Sequence, residues 1–555
     1  MSNTDNILAL LGDEAVALGA IHAGLSAAYG YPGTPSTEIL ECLIEKSGEG
    51  DGGHGSGHSF TAKWCSNEKT ALEAALGTSF AGKRALVTMK HVGLNVAADP
   101  YMNSALLGIN GGLVIAVADD PGMHSSQGEQ DSRFYSFFAL GPCLEPRNQQ
   151  EAYDMCREAF EVSERFSVPV MLRLTTRLSH SRAAVKSGAA EKQKELSKMK
   201  DKTRWTLLPA YARRNYADLI EKQKDLAVWS TAHKANKLEA GDPSFAVITS
   251  GLGGNYYEEN LEDLLSSRGG KAPSRLHIGA YPLPLESIRK LCEKAEKLLL
   301  VEEGQPLIEE RIRGILPQSI KINGKLDSTL NRAGELDPDN VRKGLGLPPR
   351  PSVLGSSLEI PELPGRPPQL CQGCPHNDSY LAIKKALTEL GSGQGAPDSV
   401  VTSDIGCYTL SAAPPLSAIE SCVCMGASIG MARGAAEAGI KYAIATIGDS
   451  TFLHSGMTAA VDAVQADAPM TLVILDNSIV AMTGCQETIV PSEKLTKLVL
   501  GLGVKPEHLL ELEAKGQFLE ENAAKLKKEF EYRGFSLVIF RRECLEAFRK
   551  RNKKK

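Results

Sequence analysis

At 555 residues the chain is too long for one hydrophobic core, so two to four domains are expected. A hydrophobic share of 42% with 23% charged residues is ordinary for a globular protein, and a net charge of only -5 leaves no electrostatic footprint for nucleic acid. Twelve cysteines are too sparse for a disulfide framework, and Asp13 and Glu14 interrupt the N-terminal apolar run, so a reduced, cytoplasmic chain without a signal peptide is expected.

Residues 1–180 alternate Ala-rich helical stretches with short apolar runs. Three of these, Ala85–Met89, Leu113–Val117 and Val168–Leu174, read as buried parallel strands. The uncharged stretch Tyr101–Ala118 raises a membrane question, but Asn103, Asn110 and Gly111-Gly112 divide it into helix, turn and strand, so no span is expected. Gly48–Gly57 reads as a loop; its His54, with His58, lacks the Cys or carboxylate cluster that would support metal binding. Residues 181–240 are rich in Lys and Glu and are expected to form a solvated helical connector.

A second α/β unit, 241–345, carries the runs Phe245–Thr249 and Leu298–Glu303. A linker follows at 346–369, with prolines at 348, 349, 351, 361, 364, 367 and 368 that forbid regular structure over much of its length. The third unit, 370–555, has expected strands at Ser399–Thr402, Tyr442–Ile447, Met470–Leu475 and Phe535–Phe540, and a helix at Gly456–Ala466. The fold class is therefore α/β, built from several doubly wound parallel-sheet domains.

The third unit bears the chemistry. Gly448-Asp449-Ser450 directly follows the strand Tyr442–Ile447, and Asn477 ends the next strand. Mg²⁺ needs near-octahedral oxygen ligands. A carboxylate and an amide oxygen at neighbouring strand ends can hold it at the carboxyl edge, where doubly wound sheets bind ligands. The Ile479 carbonyl offers a third ligand and a diphosphate the rest, favoured by a helix N-terminus near Gly456. The competing reading is an ordinary strand-to-helix turn followed by an Asn-containing one. Thiamine diphosphate, the cofactor this arrangement suggests, also needs a glutamate against its aminopyrimidine ring. Glu68, at the head of an Ala-rich helix, fits by position; the alternative is an acid placed there by the helix dipole.

Further segments are GYPGTPSTEI (Gly30–Ile39), NEKTALEAALGTSFAGKRALVTMKHVGLNVAADP (Asn67–Pro100), DDPGMHSSQGEQDSRFY (Asp119–Tyr135), LCQGCPHNDSY (Leu370–Tyr380), SDIGCYTLS (Ser403–Ser411) and the stretch from Cys424 to Glu487. Together they resemble the 2-oxoacid:ferredoxin oxidoreductase superfamily, its indolepyruvate-type large subunits most of all, over nearly the whole chain. The resemblance implies thiamine-diphosphate-binding domains, of pyrimidine type at 1–180 and diphosphate type at 370–555, with a transketolase-C-terminal-like α/β domain at 241–345. It implies that Thr34 faces the substrate carbonyl or carboxylate and that Glu68 activates the cofactor. Gly406, Cys407, Gly448, Asp449, Ser450 and Asn477 would bind the cofactor, and Asp449, Asn477 and the Ile479 carbonyl would hold Mg²⁺. His376 would come near the cofactor and substrate, and Arg133 would pair with a substrate carboxylate or with CoA, a surface ion pair being an equal reading. For Cys407, buried packing is equally open. Cys371-x-x-Cys374 lacks partners for a zinc site, and a redox disulfide is a further reading.

The implied activity is oxidative decarboxylation of a 2-oxo acid, indolepyruvate or another aryl pyruvate, to acyl-CoA. The implied partners are a smaller beta subunit and an external electron carrier, with a homodimer of large subunits inside a heteromer. Such subunits commonly end in a ferredoxin-like domain whose cysteine runs hold [4Fe–4S] clusters. Here only Cys544 follows Cys485, so no iron–sulfur cluster is expected in this chain. Two other readings stay open: a non-oxidative decarboxylase or carboligase with the same cofactor, and a non-catalytic docking scaffold. Glu68, Asp449 and Asn477 argue against the scaffold.

Overall fold

The computed structural model describes residues 6–47, 60–351, 368–393 and 395–553; the glycine-rich loop with His54 and His58, and most of the proline-rich linker, lie outside them. The chain forms two compact units, Met1–Leu358 and Glu359–Lys555.

The first unit is built on a seven-stranded sheet. Its order is Ala280–Tyr281, Cys143–Leu144, Val170–Thr175, Leu113–Asp119, Ala85–Lys90, Ala27–Gly30 and Thr61–Trp64, all parallel except the first. Helices cover both faces, so the inner strands are mostly apolar; every residue of Leu113–Asp119 is buried. The uncharged stretch Tyr101–Ala118 divides between the helix Ala98–Leu107 and that strand, and no helix among the described residues is long and apolar enough to cross a membrane.

Beyond Ser181 the structure departs from the expected helical connector. Arg182–Ser187 is a strand paired antiparallel with Asn6–Leu11, and only Pro209–Ala232 is helical. The residues between run without a helix along the unit, held by Glu191 N donating to His22 O at 2.8 Å and Ser197 N to Ala81 O at 2.9 Å. A Lys- and Glu-rich composition reports solvation, not backbone conformation. Here some of that charge serves as anchorage, since Arg84 Nη1 donates to Glu191 Oε2 at 2.9 Å.

A second sheet of the same unit runs Lys321–Asn323, Lys297–Val301, Asp242–Ser250, Pro273–Ile278 and Leu238–Glu239, the last antiparallel. Ala280–Tyr281 then crosses to the edge of the first sheet, and one apolar core runs through both.

The second unit has a six-stranded, all-parallel sheet in the order Ser421–Cys422, Ser399–Ser403, Tyr442–Gly448, Met470–Asp476, Ser536–Arg541 and Leu509–Glu513, with an apolar core on each face. The helix expected to start near Gly456 begins at Asp449, straight off the strand, and continues through a π turn at Phe452–Gly456 into Met457–Gln465. Gly456 marks close packing and no boundary: a Cβ there would stand 2.7 Å from Ile447 Cδ1.

Candidate active site

In the first unit the register sets Gly30 beside both Trp64 and Thr88; two of the strands end at that level and Ala85–Lys90 runs on past it. The chain beyond that level carries Thr34, Glu68 and Lys90 at the carboxyl edge, the ligand-binding edge of such sheets. Thr34 rides on a tight turn. Ser36 Oγ donates to Gly33 O at 2.8 Å, Gly33 N donates to Thr37 Oγ1 at 3.0 Å, and Thr34 O accepts from Ser125 Oγ at 3.1 Å.

Glu68 opens the helix Glu68–Phe80, but capping belongs to Asn67, whose side chain accepts from Thr70 N at 2.9 Å. An acid placed only to complement the helix dipole would stay solvated, whereas Glu68 is 4% exposed. Gly93 packs directly on it, leaving a Cβ only 2.7 Å from Glu68 Cγ.

Lys90 was not singled out from the sequence. Its stem lies over Gly33, and its ammonium donates to Ser125 O at 2.9 Å. Burial pushes that ammonium down to about 8, with the charges of Asp120 and Glu68 pulling it back. A cation thus stands between the Thr34 turn and Glu68. The available signal was a lysine closing the apolar strand Ala85–Lys90.

Arg133 is neither a substrate-facing cation nor a surface ion pair. It is fully buried and donates to Asp131 at 3.0 and 2.6 Å, to Tyr281 Oη at 3.2 Å, and to the carbonyls of Glu303 and Gln305 at 3.0 Å each. Glu302 lies 3.2 Å away, and Arg173 beside it donates to Asp119 at 2.7 Å and to Glu145. Burial pushes Glu302 up to about 7; it opposes the charge on Asp131 too, but Arg133 and Arg173 hold that carboxyl at about 2. The cluster joins the first sheet to the second, and apart from Asp131 the partners of Arg133 are too far away in sequence to be paired by inspection.

In the second unit Gly448 pairs with Leu475, so Asp449 and Asp476 come off adjacent strand ends together, with Asn477 next. Asp449 is 6% and Asp476 4% exposed. Ser478 N donates to Asp449 Oδ2 at 3.0 Å, and the Ser450 amide also holds that carboxylate. Burial, then the charge of Asp476, push Asp449 well above the ordinary carboxylate range. Two carboxylates buried shoulder to shoulder fit a cation. Asn477 Oδ1 accepts from Ile479 N at 3.2 Å and keeps a second lone pair for a metal, so Asp449 and Asn477 offer oxygens that suit Mg²⁺. Asp476, absent from the sequence reading, is held by Ser492 Oγ at 2.6 Å and Arg541 at 3.4 Å.

Gly406 and Gly448 leave room for the Tyr408 ring, which a Cβ on Gly448 would meet at 2.7 Å. His376, in the first turn of the helix Pro375–Glu389, sits edge-on to that ring at 5.8 Å, its Nε2 3.4 Å from Asn477 Nδ2. Burial pushes its imidazole down to about 4. His376 therefore joins the Asp449–Asn477 end as a neutral ring.

Cys407 opens a short 3₁₀ turn beyond the strand Ser399–Ser403 and is half-buried. Burial, then the neighbouring Cys374, Cys544, Cys371 and Cys485, push its thiol up to about 12. All five are free thiols. Cys371 and Cys374 share one segment while Cys407, Cys485 and Cys544 come from others, and the fold brings the four within electrostatic reach of Cys407, which bears on the expectation that this chain offers no cluster ligands.

Residues 18–247 match the family model described as "Pyruvate flavodoxin/ferredoxin oxidoreductase, thiamine diP-bdg", and residues 404–540 that described as "Thiamine pyrophosphate enzyme, C-terminal TPP binding domain". The first range includes Thr34, Glu68 and Lys90, the second Cys407, Asp449 and Asn477. The chain is 40% identical to the indolepyruvate oxidoreductase subunit IorA of Archaeoglobus fulgidus, over 86% of this chain and 76% of that protein. It is 35% identical to the subunit of the same name from Thermococcus kodakarensis, over 96% and 85%. Among solved structures, a 2-oxoglutarate:ferredoxin oxidoreductase from Magnetococcus marinus aligns with a TM-score of 0.50 and 16% identity, over 61% of this chain and 66% of that one, a likeness of fold.

Proposed function

The chain belongs to the indolepyruvate oxidoreductase large-subunit family of thiamine-diphosphate-dependent 2-oxoacid oxidoreductases, and on that premise we propose that it decarboxylates indolepyruvate or another aryl pyruvate oxidatively to acyl-CoA. Its working state is a heteromer with a smaller subunit, around a homodimer of large subunits, passing electrons to an iron–sulfur carrier. Bound thiamine diphosphate supplies the electron sink for loss of CO₂.

The residues divide the remaining work. Asp449, Asn477 and the Ile479 carbonyl hold Mg²⁺, while Gly448 and Ser450 bring the start of a helix to the diphosphate. Glu68 exchanges a proton with the aminopyrimidine ring from a buried position. Thr34 and Lys90 offer a hydroxyl and an ammonium that orient the substrate carboxylate, the role first expected of Arg133. Among Cys371, Cys374, Cys407, Cys485 and Cys544 there are soft donors of the kind that hold an iron–sulfur cluster, which would supply one-electron acceptance inside this chain.

The observation that carries this reading is the buried Asp449–Asp476 pair beside Asn477, a cation site at the carboxyl edge of a parallel sheet. The test supplies the purified chain, alone and with its partner subunit, with thiamine diphosphate, Mg²⁺, CoA and an aryl pyruvate. Products are identified by mass spectrometry with and without a viologen acceptor. Acyl-CoA formed only with the acceptor is the expected result. Aldehyde or ketol formed without it would replace the oxidative reading with the non-oxidative one.

A further inference from the structure

A second group of ligand-type side chains lies in the first unit. Asp13 belongs to the helix Gly12–His22, Glu38 to Thr37–Lys46 and His180 to Thr176–His180. One donor atom of each lies within 4.8 Å of the other two, and His180 Nε2 is 3.6 Å from Glu38 Oε2. A cation about 2.1 Å from each donor requires donor separations of roughly 3–4 Å, which small side-chain adjustments reach here.

Asp13 is the independent sign of a ligand. It is 0% exposed, and neither carboxylate oxygen makes a well-formed hydrogen bond, the adjacent Ser179 hydroxyl included. Glu38 Oε2 is likewise buried, with the His180 imidazole at 3.6 Å as its charged neighbour. The charged groups acting on Asp13 are Glu38, His180 and Glu14; Glu14 is itself paired with Arg182 at 3.3 Å, so Glu38 and Asp13 share the one imidazole. A carboxylate sealed in this way is costly unless a proton or a cation answers it. The imidazole is 36% exposed, which opens the group to solvent and leaves coordination positions for water.

We infer that Asp13, Glu38 and His180 bind one divalent cation of the Mn²⁺ or Zn²⁺ type, clamping three helices. One carboxylate sits on a helix that follows directly from the Thr34 turn, so the bound cation would brace that turn from behind. Imidazole with two carboxylates suits these ions. The site is independent of the thiamine assignment.

The probe is Mn²⁺, which thiols bind weakly, titrated into the full chain and followed by electron paramagnetic resonance. Asp449→Ala removes the proposed Mg²⁺ ligand, so binding that persists at micromolar Mn²⁺ reports the second site. One Mn²⁺ per chain is expected in that background. Adding His180→Ala, a partly exposed change at a helix end, should weaken it at least tenfold, and adding Asp13→Asn should do the same. Mn²⁺ should also raise the thermal midpoint of Asp449→Ala but not of the double variants. No Mn²⁺ bound by Asp449→Ala, or affinity unchanged by His180→Ala, would overturn the inference and leave Asp13 as a protonated carboxyl.

Discussion

Replacing Arg133 by alanine separates a structural arginine from a substrate-binding one. The guanidinium is fully buried and shared among Asp131, Glu302, Tyr281 and the carbonyls of Glu303 and Gln305. Removing one partner of a buried ion pair costs about 3–5 kcal/mol, and each carbonyl left without its donor adds about 1 kcal/mol. Two features moderate the loss: Arg173 stays 3.7 Å from Asp131, and Glu302, already up to about 7, can take a proton. About 4 kcal/mol is therefore expected. Trp64, Trp205 and Trp229 all fall within Met1–Leu358, so tryptophan fluorescence reads the first unit alone during urea unfolding. The midpoint should fall by about 1 M, taking m at the upper end of the usual urea range. Arg133→Lys should recover only part of the loss, because an ammonium keeps the charge without the planar fork. A variant within about 1 kcal/mol of the parent, with a raised KM for the 2-oxo acid, would refute this reasoning and return Arg133 to the substrate.

Glu68→Gln should still bind thiamine diphosphate but lose turnover by about 10²–10⁴-fold, the usual range for a lost acid–base group; an unchanged kcat removes Glu68 from the chemistry. Asp449→Ala should lose Mg²⁺-dependent cofactor retention on gel filtration, and tight retention would discredit the Asp449–Asn477 site. Lys90→Met should lower kcat/KM by about 10–100-fold, the effect of losing a charge-assisted hydrogen bond of about 1.5–3 kcal/mol, with cofactor affinity intact. If kcat/KM does not move, Lys90 is a packing residue. His277 gives a pH dependence: burial, then Arg275 and Arg147, push its imidazole down to about 3 from 6.5. The unfolded chain takes up this proton below 6.5 while the folded chain refuses it, so stability is lost as pH falls from 6.5 toward about 3, by up to about 1.4 kcal/mol per pH unit. His277→Gln should flatten that part of the slope in urea unfolding between these limits, and an identical slope would contradict the assignment.

Much of the framework was legible along the chain. The runs Leu113–Val117, Tyr442–Ile447 and Met470–Leu475 are buried throughout and free of charge, with only Thr446 and Thr471 polar, because parallel strands covered on both faces need no polar side, and each is a central strand. Asp449, Asn477 and Glu68 could be picked out because each directly follows a strand or opens a helix, and chain order alone places such residues at a sheet edge. Other features depended on register and packing. Asp476 adjoins Asp449 because Gly448 pairs with Leu475, and Lys90 reaches the Thr34 turn because its strand runs on past the level where Gly30 ends. Arg182–Ser187 became a strand because Asn6–Leu11 offered it an edge, which composition does not record. Arg133 and the five gathered cysteines follow the same logic. Local pattern determines where strands and helices begin, since it rests on bonds between near neighbours. Whether a charge or thiol is buried, and against what, depends on partners brought from elsewhere in the chain, and only the tertiary structure decided that.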